Sequence, residues 1–245
     1  MRTIFHIAGI LFVWVALVPG CAAAATLTDS QIFSQFNAVI FDNFNASSEV
    51  EGRTVVGGNV TSGSNFTIKS GLSASSFGAL SVYGSVTASA TLNIDNGGSV
   101  AIAGSNSADF NLNNGGSAYV GGSNSGNLAA SGGAGNLTIV GTNSGALSLS
   151  GGGSVFVGNG NTGTILLNGD SLTYAGSEGT VTNINGGAIT QVANGNLAAP
   201  TSTLGSFATT FQTPLTQLST QLSGVAPNST ATSSSGTVTF NATPN

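Results

Sequence analysis

The chain has 245 residues, of which 37 are glycine and only 4% are charged, and its formal net charge is −5. Such a low content of charged residues is typical of a disordered chain or of a repetitive fold, and the 40% of hydrophobic residues, arranged in columns, favours the repetitive fold. An acidic chain with three lysine and arginine residues cannot neutralise a phosphate backbone, so nucleic acid is excluded as a partner.

Residues 1–25 have the features of an export signal. Arg2 provides the positive start, Ile4–Val18 provides the apolar run, and Ala23–Ala25 provides a small-residue cleavage site. The apolar run is too short to predict a membrane span, so we expect no transmembrane segment in the mature chain. The signal predicts a protein that is secreted or held on the outer cell surface. Cys21 lies in a segment that loosely resembles a lipoprotein box, and a lipid anchor at this residue is the alternative to simple cleavage.

The single histidine, tryptophan and cysteine of the chain all lie inside this signal, at His6, Trp14 and Cys21. Cleavage after Ala25 would remove the only thiol nucleophile, the only imidazole base and any Cys/His metal site. We therefore expect a protein with no cofactor, no bound metal ion and no enzymatic activity.

Residues 26–50 are predicted to cap the repeat that follows. The apolar spacing of Ile32, Phe36 and Val39 suits either a short helix or a buried strand, and the sequence does not decide between them. A repetitive fold exposes unpaired edges and core residues at its ends, so we expect either element to cover the open end.

The most distinctive local motif lies between residues 47 and 60. Glu49, Glu51 and Arg53 alternate at the start of a strand, and they fit an exposed ion pair better than a catalytic pair of carboxylates, because no second polar cluster accompanies them. Together with Phe36–Ile40, this motif closely resembles the signature of the choice-of-anchor A domain family of exported bacterial surface proteins. The motif residues, for which we expect a structural role, are Glu51, Gly52, Arg53, Gly57, Gly58 and Asn59. The resemblance implies an extracellular, surface-associated module without enzymatic activity, and some relatives are linked to collagen-binding adhesins.

A repeat with a period of about 18 residues runs from Thr91 to Gly179. Each unit carries two pairs of apolar residues, and the members of a pair are two positions apart. This spacing predicts two short strands per unit, because successive side chains of a strand point to opposite faces. The first apolar column is Leu92, Phe110, Leu128, Leu147 and Ile165. The sequence therefore predicts an all-β chain with a right-handed parallel β-helix over residues 51–199, in which strands of successive coils lie about 4.8 Å apart.

An asparagine column accompanies the repeat, and its members are Asn106, Asn124, Asn143 and Asn161. We predict that these side chains form a ladder of stacked amides at one corner of the coils. After the repeat, residues 200–224 place an apolar residue at every third or fourth position, which predicts one amphipathic α-helix packed alongside the solenoid. A partner-binding helix is the alternative. Residues 225–245 are predicted to be a polar linker followed by a terminal strand.

The outward positions of the second strand in each unit form a candidate surface strip. Its residues are Tyr119, Thr138, Phe156 and Thr173. Aromatic and threonine side chains on a flat sheet suit weak contact with an extracellular glycan or matrix protein. The favoured hypothesis is thus an exported structural or adhesive surface protein with a non-catalytic binding surface.

Two alternatives come from other classes of protein. An ice-binding β-solenoid would present a regular outward threonine ladder, which Ala101, Tyr119 and Phe156 interrupt here. A β-helix enzyme acting on polysaccharides would need carboxylates beside basic residues, and the coils between Thr91 and Gly179 contain no lysine or arginine.

Overall fold

A computed structural model describes residues 26–45, 47–63, 65–67, 73–193, 197–198, 200–202 and 204–225, and the backbone alone of residues 229–234 and 237–242. The predicted export signal and the lipidation alternative at Cys21 lie outside these residues. No helix in the described part of the chain is long and apolar enough to cross a membrane.

The chain begins with a short helix and then forms a long series of short strands. Helix α1 spans Asp29–Gln35. The strands are β1 Ala38–Ile40, β2 Val50–Glu51, β3 Thr54–Val56, β4 Asn65–Thr67, β5 Leu80–Val82, β6 Leu92–Asp95, β7 Val100–Ile102, β8 Phe110–Leu112, β9 Ala118–Val120, β10 Leu128–Ala130, β11 Asn136–Ile139, β12 Leu147–Ser150, β13 Ser154–Val157, β14 Thr164–Asn168, β15 Ser171–Ala175, β16 Thr180–Ile184 and β17 Ile189–Val192.

Successive strands alternate between two parallel sheets. The odd-numbered strands form a nine-stranded sheet in the order β1 to β17, and the even-numbered strands form an eight-stranded sheet. Single β-bridges between successive coils form a third side, and they join Phe44, Val60, Val86, Asn106, Asn124, Asn143 and Asn161. The protein is therefore a parallel β-solenoid of about eight turns with about 18 residues per coil, as the repeat predicts.

The predicted apolar columns are confirmed by the strand register. Leu92 pairs with Phe110, Phe110 with Leu128, Leu128 with Leu147 and Leu147 with Ile165. All five side chains are at most 1% exposed and belong to one continuous core. Because burial of one such side chain stabilises a fold by about 1.5–3 kcal/mol, these columns are the main source of the solenoid's stability.

The predicted asparagine ladder is also present. Asn106, Asn124 and Asn143 each donate from Nδ2 to the Oδ1 of the next asparagine, at 2.8, 2.7 and 2.7 Å. The same Nδ2 atoms donate to the backbone carbonyl two residues further along, for example from Asn124 to Gly126 at 2.8 Å. All four asparagines, including Asn161 at the end of the ladder, are at most 1% exposed. The ladder therefore provides the hydrogen bonds that these buried polar groups need.

Helix α1 resolves the choice between helix and strand that the sequence leaves open. Thr28 and Gln31 form a capping box at its N-terminus. Ile32 and Phe36 are buried in a cluster with Val55, the outward residue of β3, so the helix covers a flank of the first coils. Strand β1 lies inside the segment predicted as a cap, and the solenoid therefore begins before residue 51.

A second helical segment packs against the same flank. A π-helical turn, Ala208–Gln212, leads into helix α2, Thr213–Ser223. Helix α2 has a proline in its first turn, and Gly224 is its C-cap residue. Phe211 is fully buried and packs edge-on against Phe36 and Phe77, with ring centroids 5.2 and 5.3 Å apart. We call α1, Leu204 and the segment from Phe207 to Ser223 the helical cap.

The last coil replaces apolar core residues with polar ones. Leu167 pairs with Asn183, and Tyr174 pairs with Gln191. Asn183 forms two hydrogen bonds with the backbone of Gly187, and Gln191 Nε2 donates to the Gly176 carbonyl at 2.9 Å. These polar residues reduce the apolar surface at the end of the core, while Val181 and Ile189 continue the inward apolar columns and Ile189 is 42% exposed.

Beyond the solenoid, the backbone forms an antiparallel pair of strands, β18 Ser229–Ser234 and β19 Thr237–Ala242. Part of the segment predicted as a polar linker is therefore a strand. Thr230 and Thr232 favour this strand, because β-branched residues favour extended backbone even when they are polar.

Candidate functional site

The predicted surface strip forms one continuous column on the outer face of the nine-stranded sheet. The register pairs Tyr119 with Thr138, Thr138 with Phe156, and Phe156 with Thr173. Each of the four side chains is half-buried, between fully buried neighbours on its own strand. The structure thus brings all four predicted residues together, and we call them the outer strip.

The helical cap covers the part of this face that precedes the outer strip. Val55 and Ser81, at the equivalent positions of β3 and β5, are fully buried, and Ala101 of β7 packs against the cap cluster. Tyr119 is the first residue of the column beyond the cap. The exposed part of the nine-stranded sheet therefore begins where the helical cap ends.

A groove of about 280 Å³ lies at this boundary. Tyr119, Ala101 and Thr138 line it along the column, and Ser76 and Gly78 line it from the neighbouring loop. A second row of lining residues consists of Ser99, Ser117 and Asn136. The phenol of Tyr119 can donate a hydrogen bond at neutral pH, as any tyrosine can, and burial raises its pKa further above the usual value.

The polar row of the groove is held in place by the solenoid backbone. The N–H of Ser117 donates to Ser99 Oγ at 3.3 Å, and the N–H of Asn136 donates to Ser117 Oγ at 3.0 Å. Asn136 Oδ1 accepts in turn from the N–H and hydroxyl of Ser154, at 3.0 and 2.7 Å. Each serine oxygen accepts one of these bonds and Asn136 Oδ1 accepts two, so the serine hydroxyl hydrogens and the Asn136 amide hydrogens are available to donate to a ligand.

The family motif has contacts that suit the structural role expected from the sequence. Arg53 is buried rather than part of the exposed ion pair that the sequence predicts, and it donates to the backbone carbonyls of Phe77, Gln35 and Ser73, at 3.2, 3.4 and 2.9 Å. It therefore joins the first coils to α1 and to the loop that leads into β5. Glu51 is exposed at the end of β2.

The glycines and the asparagine of the motif lie where coils approach closely. Gly52 has φ +116°, and a Cβ atom there would collide with the Asn37 side chain. A Cβ atom at Gly57 or Gly58 would collide with the backbone of the first coil. Asn59 Oδ1 accepts from the N–H of Ser85 at 2.8 Å, which links two coils.

The third side of the solenoid carries a feature that the sequence analysis missed. Two rows of hydroxyl side chains flank the inward column of bridge residues, and we call them the hydroxyl face. The first row is Ser85, Ser105, Ser123 and Thr142, and the second is Thr87, Ser107, Ser125 and Ser144. They line a groove of about 240 Å³. The tripeptide Ser-Asn-Ser, which occurs at residues 105–107 and 123–125, is the sequence signal that could have revealed this face.

Most residues of the two rows use their hydroxyl groups in opposite ways. In the first row, Ser85 Oγ and Ser105 Oγ accept backbone N–H groups of the next coil at 3.1 and 3.2 Å, which leaves their O–H groups available as donors. The hydroxyl of Thr142, in the same row, instead donates to Ser123 Oγ at 3.1 Å. In the second row, Ser107 and Ser125 donate to carbonyls of the preceding coil at 3.4 and 3.5 Å, and their lone pairs remain to accept. Residues two apart in an extended chain lie roughly 6.7 Å from each other, which sets the separation of the rows.

The described residues contain no group of three His, Cys, Asp or Glu side chains that could hold a metal ion. The fully buried carboxylate, Asp170, accepts from the backbone N–H groups of Gly152, Gly153 and Asn168 at 2.7, 2.7 and 3.0 Å. These three hydrogen bonds indicate a structural role for Asp170, because a carboxylate that accepts several backbone N–H bonds stabilises the turn that donates them.

The fold and the outer strip together define a parallel β-solenoid with a flat, partly aromatic face. Residues 29–125 match a family described as "Putative Ice-binding-like adhesive domain". The match covers α1, the family motif and the first coils, which is less than half of the chain. No curated protein and no solved structure matches. This part of the chain is therefore similar to an adhesive surface domain, and the resemblance to the choice-of-anchor A family is not confirmed.

Proposed function

We propose that the chain is an exported, non-catalytic adhesive protein of the cell surface or extracellular matrix, and that its outer strip binds an extracellular glycan or matrix protein. The observation that carries this proposal is the continuous column from Tyr119 to Thr173, which places two aromatic rings on a rigid, uncharged sheet. The similarity of residues 29–125 to an adhesive domain supports it.

The solenoid suits adhesion for a physical reason. Its strands are held by hydrogen bonds to both neighbours and by a continuous core, so the outer face is already ordered before it meets a partner. A surface that loses little conformational entropy on binding can bind through few contacts. Half-buried aromatic side chains are also frequent anchors at interfaces.

Binding to immobilised matrix proteins and neutral polysaccharides tests the proposal. We expect Phe156→Thr to weaken binding to the matrix protein or polysaccharide that the wild-type protein binds by about tenfold or more. The substitution removes a central aromatic anchor and keeps a strand-forming residue. Leu166→Thr is the matched control, since Leu166 is a 40% exposed strand residue on the eight-stranded sheet. The proposal fails if the wild-type protein binds nothing on the panel, or if both variants weaken binding equally.

Ice binding is the second candidate function, and the hydroxyl face is the observation that favours it. Water both donates and accepts hydrogen bonds, so a row of outward donors beside a row of outward acceptors suits an ordered layer of water. The description of the matching family points the same way. Thermal hysteresis and inhibition of ice recrystallisation separate the candidates, because an adhesive protein that works through the outer strip shows neither effect.

A further inference from the structure

The groove at the start of the outer strip differs from the rest of the strip. Ala101 and Thr138, the column neighbours of Tyr119, are both smaller than tyrosine, so space remains beside the ring. Ser76 and Gly78 of the neighbouring loop border this space, and Ala101, at its edge, packs against the cap cluster. The groove has a volume of about 280 Å³, which is near the lower end of the range for small-molecule sites.

The polar groups of the groove lie along one side of this space. Ser99, Ser117 and Asn136 use their oxygen atoms to accept hydrogen bonds from the next coil, which leaves donors to face the groove. Neither a carboxylate nor a basic side chain is among its lining residues. A ligand of this groove therefore needs acceptor oxygens, an apolar face for the tyrosine ring, and no net charge.

The geometry points to a subsite for one neutral pyranose unit of a glycan, stacked on Tyr119 and hydrogen-bonded to Ser99, Ser117 and Asn136. A pyranose ring has one face of C–H groups, which packs on the negative face of an aromatic ring, and a rim of hydroxyl oxygens, which accept from the serine and amide donors. Charged sugars are disfavoured, because an anion in the groove would find no cation to pair with. This inference rests on the proposed adhesive function and specifies its ligand.

Saturation-transfer NMR with the full chain tests the subsite. The probes are the methyl glycosides of glucose, galactose, mannose and N-acetylglucosamine at millimolar concentration, with methyl glucuronide as the charged comparison. We expect at least one neutral glycoside to receive saturation and methyl glucuronide to receive none. We expect Tyr119→Thr to weaken binding of that glycoside by about tenfold or more, because the stacking surface is lost.

Two further variants distinguish stacking in the groove from other contributions. Tyr119→Phe keeps the ring and should bind within about threefold of the wild type, since only one hydroxyl is lost. Leu166→Thr, on the eight-stranded sheet, should leave glycoside binding unchanged. The inference is overturned if no neutral glycoside receives saturation, if Tyr119→Thr binds as well as the wild type, or if methyl glucuronide binds equally well. If the protein adheres, Phe156→Thr weakens that adhesion, and no glycoside binds, then the subsite is wrong and the proposed adhesive function is still supported.

Discussion

Replacing Phe211 by alanine is expected to lower the free energy of unfolding of the helical cap by about 3–5 kcal/mol, the usual cost of removing a fully buried phenylalanine. Phe211 is 0% exposed and contacts Phe36 and Phe77 edge-on, an arrangement that adds to the loss. None of the residues of α2 is buried, so the helix depends on this anchor in the preceding turn. Hydrogen exchange should show opening of residues 204–225 while β9 to β15 stay protected.

Phe33→Ala is the control for this prediction. Phe33 lies on α1 but is 66% exposed, so its removal should change stability by no more than about 0.5 kcal/mol. Equal behaviour of the two variants in denaturant unfolding and hydrogen exchange would contradict the assignment of Phe211 as the anchor of the cap.

Replacing Asn124 by leucine is expected to destabilise the solenoid by about 3 kcal/mol or more, because each buried polar group that loses its partner costs about 1–3 kcal/mol. Leucine has the same branched shape and is somewhat larger than asparagine, so the substitution removes hydrogen bonds without creating a cavity. Asn106 Nδ2, the Gly126 carbonyl and Asn143 Oδ1 each lose Asn124 as a partner. Denaturant unfolding measures the change.

Asn111→Ala provides the comparison for the buried ladder. Asn111 also donates to an asparagine of the neighbouring coil, Asn93, at 2.9 Å, but it lies on the exposed face of β8. Water replaces that partner, so we expect a change within about 0.5 kcal/mol. If Asn124→Leu were as mild as Asn111→Ala, burial would not be what makes the inner ladder important.

The sequence predicts the inside of this protein well, because the solenoid core repeats along the chain. Leu92 and Phe110 occupy equivalent positions of consecutive units, and a column of apolar residues can be buried only if the units stack. The asparagine ladder follows from the same period. The alternation that identifies inward residues also identifies the outward ones, and the strand register aligns the four residues of the outer strip in one column.

The outside of the protein was harder to predict, since it depends on contacts between segments far apart in the chain. No local pattern shows that Phe211 returns to Phe36 and Phe77 on the flank of the first coils, or that Ala101 is the last residue of the column that contacts the cap. The groove beside Tyr119 is bordered by Ser76 and Gly78, which lie in a loop more than 40 residues earlier in the chain. The hydroxyl face was missed for a different reason: its serines resemble ordinary turn residues until the bridges align them.

These features give the two sides of the solenoid different chemistry. The outer strip combines aromatic rings with a polar groove, whereas the hydroxyl face has neither a ring nor a charge among its lining residues. A partner with an apolar surface should therefore bind to the nine-stranded sheet. An ordered layer of water would instead bind to the third side.

Hydroxyl-radical footprinting of the protein bound to its ligand-coated surface shows whether the outer strip makes the contact, because tyrosine and phenylalanine rings report their own accessibility. We expect binding to protect Tyr119 and Phe156, and we expect Phe33 and Leu222, which are exposed on the helical cap, to stay as reactive as in the free protein. Unchanged reactivity of Tyr119 and Phe156 in the bound protein would contradict the assignment of the outer strip as the adhesive surface.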